Sequence, residues 1–467
     1  MNARTTAAVA AGRTAALLSR ALCRGGGTAL PGLVAERIDP DIVRHLGARL
    51  GGGTVLITGT NGKTTASRIL ASILDAAGTF ALHNREGSNM MRGLASTLLA
   101  STLLASRNGR GAASATLGLF EVDEATLPAA ARALAPRALA FTNLFRDQLD
   151  RYGEVDTVAA MWREALAAAP RDATLVLNAD DPSVAELALG WEGPVHWFGI
   201  DDASFATEFT GSVDARWCRA CGGSFAYDRR YFGHAGFWRC TSCGRARPAT
   251  GTTATAIELR LEGSAFEVLG LGRVTMPLTG LYNVANALAA IALARVLEAP
   301  GEAILAGLAN VRAAFGRQEV VHFEGRRLML MLAKNPAGAD QVLRLIAAVA
   351  PTIGESVQVA ILLNDRFADG QDVSWIWDVD YELLATTVAA CWAGGDRAED
   401  MALRLKYAGW PPPAGVEGQP SDLLDRVHEE TARGDLVFVI PTYTAMLDLR
   451  AELAERGAVS RFWDDQP

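Results

Sequence analysis

The run Thr58-Gly59-Thr60-Asn61-Gly62-Lys63-Thr64-Thr65 constrains this chain more than any other stretch. An apolar segment, Thr54-Val55-Leu56-Ile57, leads into it. A helix-like run from Thr64 to about Ala77 follows, closed by Gly78. A strand, a glycine loop, a Lys-Thr pair and a helix make a phosphate-binding junction. Glycines let backbone N–H groups turn toward an anion, and the helix N-terminus adds its positive end. On this reading Gly59, Thr60, Asn61, Gly62, Lys63, Thr64 and Thr65 hold the phosphates of ATP. Lys63 reaches the β/γ-phosphates and the Thr64 hydroxyl holds Mg²⁺. The strict G-x-x-x-x-G-K-[ST] spacing is not met, since Ile57 stands where the first glycine would be. The alternative is an ordinary strand-to-helix turn with a surface lysine.

A chain of 467 residues, half of them apolar, suggests an α/β protein of two or three domains with ample core. Its net charge of −8 argues against a nucleic-acid partner. No long uncharged apolar segment is present, so no transmembrane helix is expected. Arg13 and Arg20 interrupt the N-terminal apolar run, so it does not read as a signal peptide. Thr14–Cys23 reads as an amphipathic helix, more simply a packing helix than a membrane-surface one. A small duplication, Ser96–Ala100 repeated as Ser101–Ala105, is helix filler.

Ala115–Phe120 reads as a buried strand ending in Glu121-Val122-Asp123-Glu124. Acids at the carboxyl end of a parallel strand sit where α/β folds place ligands, and Glu121 is the candidate for Mg²⁺. The competing reading, a solvated acidic turn, applies more to Asp123 and Glu124. Cys218-x₂-Cys221 and Cys240-x₂-Cys243 have the spacing of a zinc ribbon, and four thiolates satisfy tetrahedral Zn²⁺ as a closed structural site. Two disulfides are the alternative. Cys23 and Cys391 read as ordinary thiols. Asn283 and Asn286 lie three apart on one helix face, where their amides can meet adenine or serve as packing and capping groups.

The loop Gly59–Thr65 resembles that of the Mur ligases and folylpolyglutamate synthetases, which form amides through an acyl phosphate. The carry-over is wide. Glu121 matches the family's Mg²⁺-holding Glu. Thr142-Asn143 through Tyr152 looks like T-N-x-x-x-D-H-x-D-R-Y, with Gln148 in place of His. The following helix, with Trp162-Arg163-Glu164, lacks the Lys that relatives carbamylate, and Glu164 is a candidate substitute for its charge. Asn283 and Asn286 match G-x-x-N-x-x-N-x-x-A. Arg317 matches the G-R-x-E hinge and would reach the γ-phosphate or acyl phosphate. Lys334-Asn335-Pro336 stands where relatives read His-Asn-Pro.

The implied fold is a Mur ligase-type P-loop central domain, 51–318, with the ribbon inserted at about 212–248. An N-terminal helical and glycine-rich segment, 1–50, precedes it, and a smaller Rossmann-like α/β domain, 319–467, follows. Trp375-Ile376-Trp377 is expected on a strand and Ala385–Ala390 on another. Ala254–Gly272 is expected to be two strands joined at Glu262-Gly263.

The four-Cys insertion, Leu332-Ala333-Lys334-Asn335-Pro336-Ala337-Gly338 and Asn364 through Asp378 narrow the resemblance to the MurT family. These are synthetase subunits of lipid II isoglutaminyl synthases. The resemblance implies amidation of D-glutamate in lipid II, with ammonia from a GatD-like glutaminase. It implies a cytoplasmic protein working at the inner face of the membrane. An Asp of this chain would complete the glutaminase's Cys-His pair: Asp378 is preferred, with Asp372 and Asp369 as alternates. The other enzymatic reading is a ligase adding an amino acid.

Overall fold

The computed structural model describes residues 2–21, 29–84, 88–107, 116–147, 155–207, 214–312, 316–354 and 356–459. Cys23, Gln148 and Asp150 therefore lie outside the described residues. Two sheets organise the chain. The first has nine strands: β1 (Thr54–Thr58), β2 (Ala81–His83), β3 (Leu117–Glu121), β4 (Ala138–Phe141), β5 (Thr174–Asn178), β6 (Val195–Ile200), β9 (Thr252–Arg260), β10 (Gly263–Val268) and β11 (Gly272–Met276). Their order is β11-β10-β9-β6-β5-β4-β1-β3-β2. The pairs from β2 to β9 are parallel, and β9-β10-β11 is an antiparallel edge. The two strands expected between 254 and 272, joined at Glu262-Gly263, are β9 and β10, and β11 follows after a turn at Leu269–Leu271.

A parallel strand covered on both faces reads as an unbroken apolar run, and all of β1 is buried. Alternation then sends its side chains to two cores. Val55 and Ile57 pack with Ile69 and Ile73 of the helix Lys63–Ala76 and with Leu288 and Ile291 of the helix Leu281–Val296. Leu56 faces the opposite core, with Leu94, Leu98, Trp162 and the N-terminal Ala8 and Val9. The first helix runs Ala3–Ala21, well upstream of the expected start, and its Ala8, Val9 and Thr5 are buried as in a packing helix.

A hairpin stands apart from this sheet: β7 (Phe225–Phe232) pairs antiparallel with β8 (Ala235–Cys240). The second sheet has six strands: β12 (Arg317–Phe323), β13 (Arg326–Met331), β14 (Val357–Leu362), β15 (Val388–Gly394), β16 (Gly415–Glu417) and β17 (Leu436–Pro441). Its order is β12-β13-β17-β14-β15-β16, parallel except for the β12–β13 hairpin. Met329 and Met331 face one core, Leu328 and Leu330 the other.

Two strand expectations are corrected here. Ser374–Asp378 is a 3₁₀ turn, so Trp375 and Trp377 do not share a strand face; Ile376 is buried while Trp377 is half exposed. The strand expected at 385–390 starts at Val388, after the 3₁₀ turn Tyr381–Leu384. Among the described residues, no helix is long and apolar enough to cross a membrane.

Candidate active site

The carboxyl end of β1 opens into the glycine loop, and the helix Lys63–Ala76 starts directly after it. Gly62 caps that helix at φ +87°, and a Cβ there would lie 2.0 Å from Asn286 Oδ1. Conformation and close approach both demand glycine. Gly59 is similar: its φ is +140°, and a Cβ would lie 2.0 Å from Thr142 Oγ1. The segment after β4 cradles the loop. Asn143 O accepts from Thr60 N at 2.9 Å, Asn143 Oδ1 from Asn61 N at 2.9 Å, and Asn61 O from Thr142 Oγ1 at 2.7 Å.

One cavity of about 360 Å³ gathers most of the residues singled out in the sequence. Thr60, Asn61, Gly62, Lys63, Thr64, Thr65, Glu121, Asn283, Asn286 and Arg317 all line it. Gly59 contributes its carbonyl, which accepts from Lys63 Nζ at 2.5 Å. Asn286 Nδ2 donates to Asn283 Oδ1 at 3.3 Å, and Asn283 Nδ2 to Thr279 O at 2.9 Å, so the two amides are mutually oriented. Arg317 reaches the cavity from a β-bulge in β12, where Gln318 takes φ +63° and anchors to Thr279 N at 2.9 Å.

The competing reading of the acids does not hold. Asp123 and Glu124 are not a solvated turn: both are buried, and Glu124 Oε1 pairs with Lys63 Nζ at 2.7 Å. Burial works against the Lys63 ammonium, but Glu124 foremost, then Glu121 and Asp123, outweigh it and raise the Lys63 pKa. Glu121 closes β3 beside Ile57, and Asn84 braces its backbone at both N–H and C=O, each at 2.9 Å. Glu164 is corrected too. It is exposed, 3.5 Å from Arg132, and does not line the cavity, because its helix turns that face to solvent.

The second unit closes the cavity with residues that had no assigned role. Lys334 Nζ pairs with Asp147 Oδ2 at 2.7 Å. Asn335 Nδ2 donates to Asp147 Oδ1 at 3.2 Å and to Asn61 Oδ1 at 3.1 Å. Burial pushes the Asp147 carboxyl up, but Lys334 foremost, then Lys63 and Asn335, bring it below the usual range. The signal for these contacts was one of position only: Lys334-Asn335-Pro336 opens a helix after a strand.

The three partner-facing candidates do not enter the cavity. Asp378 is partly exposed, and its Oδ2 pairs with Arg146 Nη2 at 2.5 Å. Asp369 is buried, with both oxygens on Thr444, and burial raises its pKa. Asp372 is exposed, and Ser374 holds its carboxyl below the usual range. Cys218, Cys221, Cys240 and Cys243 converge elsewhere, with all four sulfurs within 4.8 Å of one another. Cys391 is buried and donates to Pro411 O.

Comparison with known proteins adds a family to this geometry. The Mur ligase middle domain family matches residues 57–217, and the MurT ligase C-terminal family matches 332–446. The chain is 34% identical over 466 residues, covering 99% of both chains, to the lipid II isoglutaminyl synthase (glutamine-hydrolyzing) subunit MurT of Streptococcus pneumoniae. The chain belongs to the MurT family.

The MurT subunit of Staphylococcus aureus (strain COL) is 32% identical over 435 residues, covering 91% of this chain and 93% of that one. Both MurT relatives are named as subunits, so each works within a complex. A solved pseudomurein peptide ligase type C from Methanothermus fervidus superposes with a TM-score of 0.65 at 20% identity, over 86% of this chain and 78% of that one, which shows the Mur ligase fold. The MurT C-terminal match begins at Leu332, two residues before Lys334, and spans all three candidate aspartates.

Proposed function

We infer that this chain is the synthetase subunit of a lipid II isoglutaminyl synthase. It is an ATP-dependent carbon–nitrogen ligase that amidates the α-carboxylate of D-glutamate in the lipid II stem peptide. The observation that carries this reading is the meeting of a phosphate loop, buried acids and second-unit cations in one cavity.

A carboxylate does not react with ammonia, because its oxygen is a poor leaving group. Transfer of the γ-phosphoryl group from ATP to that oxygen gives an acyl phosphate. Ammonia then adds to the carbonyl carbon, the nitrogen gives up one proton, and phosphate leaves with the oxygen it took from the carboxylate. Asn143 holds the N–H groups of Thr60 and Asn61 and so fixes the loop; the N-terminus of the helix Lys63–Ala76 would meet the phosphates, and Lys63 would neutralise charge on the moving group. Arg317 faces the same space from β12 and would hold the acyl phosphate. Asn283 and Asn286 would meet the adenine. Thr64 and Glu121 are hard oxygen donors buried in that cavity, a set that fits Mg²⁺. When bound, Mg²⁺ neutralises phosphate charge.

A GatD-like glutaminase would supply the ammonia, so that it arrives unprotonated and ahead of water. Among the three acids, Asp372 is exposed and held ionised, so it is the candidate best placed to orient a partner's histidine; Asp378 is committed to Arg146. The four cysteines fit structural Zn²⁺: Cys218–Cys243 is 3.8 Å and Cys221–Cys240 is 3.5 Å. Zn–S bonds of about 2.3 Å in a tetrahedron place sulfurs about 3.8 Å apart. The central domain would span 51–318, between the N-terminal segment 1–50 and the C-terminal domain 319–467, and lipid II would be met at the inner membrane surface.

The test is amidation of lipid II by the purified chain with ATP. Ammonium should support it directly, and glutamine only when the glutaminase is present, with OH replaced by NH₂ in the product mass. Turnover with a free amino acid but with no nitrogen source on lipid II would assign the chain to the amino-acid ligases instead.

A further inference from the structure

The four-cysteine unit does not end at its cysteines. Its hairpin β7–β8 runs back to the first sheet, and at its tip, Gly233-His234, His234 is buried against the segment that cradles the phosphate loop. His234 and Asp181 are both fully buried, with Nε2 3.2 Å from Oδ1. Neither ring nitrogen makes a well-formed hydrogen bond, and the attraction to Asp181 is chiefly Coulombic. Asp181 Oδ2 in turn accepts from Leu144 N at 2.7 Å. The His234 ring lies 4.5 Å from that of Phe145, and a Cβ on Gly233 would meet Phe145 Cε1 at 2.8 Å. Phe145 is bound at both ends to the loop: its N–H donates to Thr60 Oγ1 and its carbonyl accepts from the same hydroxyl, each at 3.0 Å.

We propose that His234 is a positioning residue for phosphoryl transfer, holding Leu144 and Phe145 against Thr60 of the phosphate loop by pairing with Asp181 and packing its ring against Phe145. This rests on the ATP-dependent reading of the cavity. It gives the insertion a task at the active site in addition to its own folding.

The charged groups facing His234 are Asp181 after β5, Asp214 ahead of the hairpin and Arg219 in the first cysteine knuckle. Tyr227 on β7 faces Asp181. Burial opposes the charged ring, but Asp181, with Asp214 behind it, outweighs burial and Arg219 and raises the His234 pKa. The folded pKa therefore exceeds the unfolded value of about 6.5. The pairing is complete below that value and is lost as pH rises through the raised one.

The experiment is ADP affinity of the full chain as a function of pH, for wild type and His234→Phe, with circular dichroism to verify folding. H234F keeps a ring against Phe145 and removes the charge. Wild type should lose ADP affinity along an alkaline limb. H234F should bind about tenfold more weakly at neutral pH and lack the limb. Affinity within twofold of wild type, or a persisting limb, would overturn the proposal. If H234F does not fold, ¹⁵N-histidine spectra of wild type decide: loss of the His234 imidazolium must coincide with the limb, and a mismatch rejects the idea. ADP affinity does not depend on amidation, so failure of the lipid II reading would show separately.

Discussion

Two strand–helix junctions face each other across the cavity, and they present a helix N-terminus to it by different means. At the end of β1 the cap is Gly62, in a left-handed conformation with Asn286 pressed against it, and Lys63 is the first helical residue. At the end of β13 the cap is Asn335 in an extended conformation, its Oδ1 accepting from Gly338 N at 2.8 Å, and Lys334 precedes it. Neither first turn carries an acid, so both helix ends keep their positive potential. The first junction admits no side chain beside Asn286 or Thr142. The second is made to touch the first: Asn335 holds Asn61, and Lys334 holds Asp147. On the proposed reading, one junction meets the nucleotide while the other ties the second sheet's chain to the first.

The sharpest way to break this comparison is Gly62→Ala. A Cβ in a left-handed position, 2.0 Å from Asn286 Oδ1, should move the loop. We expect ADP affinity to fall about 100-fold, read by calorimetry, with the fold retained. A Gly338→Ala change, where a Cβ meets Asn335 Oδ1 only at 3.0 Å, should be far milder.

Removing one partner of the inter-unit pair comes next. Lys334→Met leaves the buried Asp147 without its main cation and should cost about 2 kcal/mol in urea unfolding, the low end for a charge pair because Lys334 is partly exposed. Asp147→Asn in the same chain should recover most of that loss. If the double variant is no better than the single, the pair does not join the units as described.

Asn335→Ala should cost about 1 kcal/mol through the lost cap, and it should also weaken ADP binding slightly through Asn61. A loss of stability with unchanged ADP affinity would sever the second junction from the loop. The smallest effect is in acid. The Asp147 pKa is depressed by Lys334, so its contribution is present above the ordinary Asp value of about 3.9 and is lost as pH falls through the lower folded one. Acid unfolding below pH 4 should be less steep in D147N than in wild type.

The two junctions also differ in how far they were legible. Gly59, Gly62, Lys63 and Thr64 signal their role within eight residues, because the backbone conformation needs glycine and the chemistry needs Lys-Thr. Cysteine spacing is local in the same way. Lys334 finds Asp147 across 187 residues, and no local pattern states that distance. Glu124 was underrated for a related reason: three residues past a strand end, an acid reads as solvent-facing until its lysine is known. Trp375-Ile376-Trp377 misled because a short apolar run fits a strand and a 3₁₀ turn alike. His234 carried no motif at all; its meaning lies in burial beside Asp181.

The central claim is that the carboxylate is activated by phosphoryl transfer in the cavity between the two units. Lipid II carrying ¹⁸O in the D-glutamate α-carboxylate tests it most directly. With ATP and ammonium, one labelled oxygen is expected in the inorganic phosphate for each amide formed. Amide formation with unlabelled phosphate would contradict it.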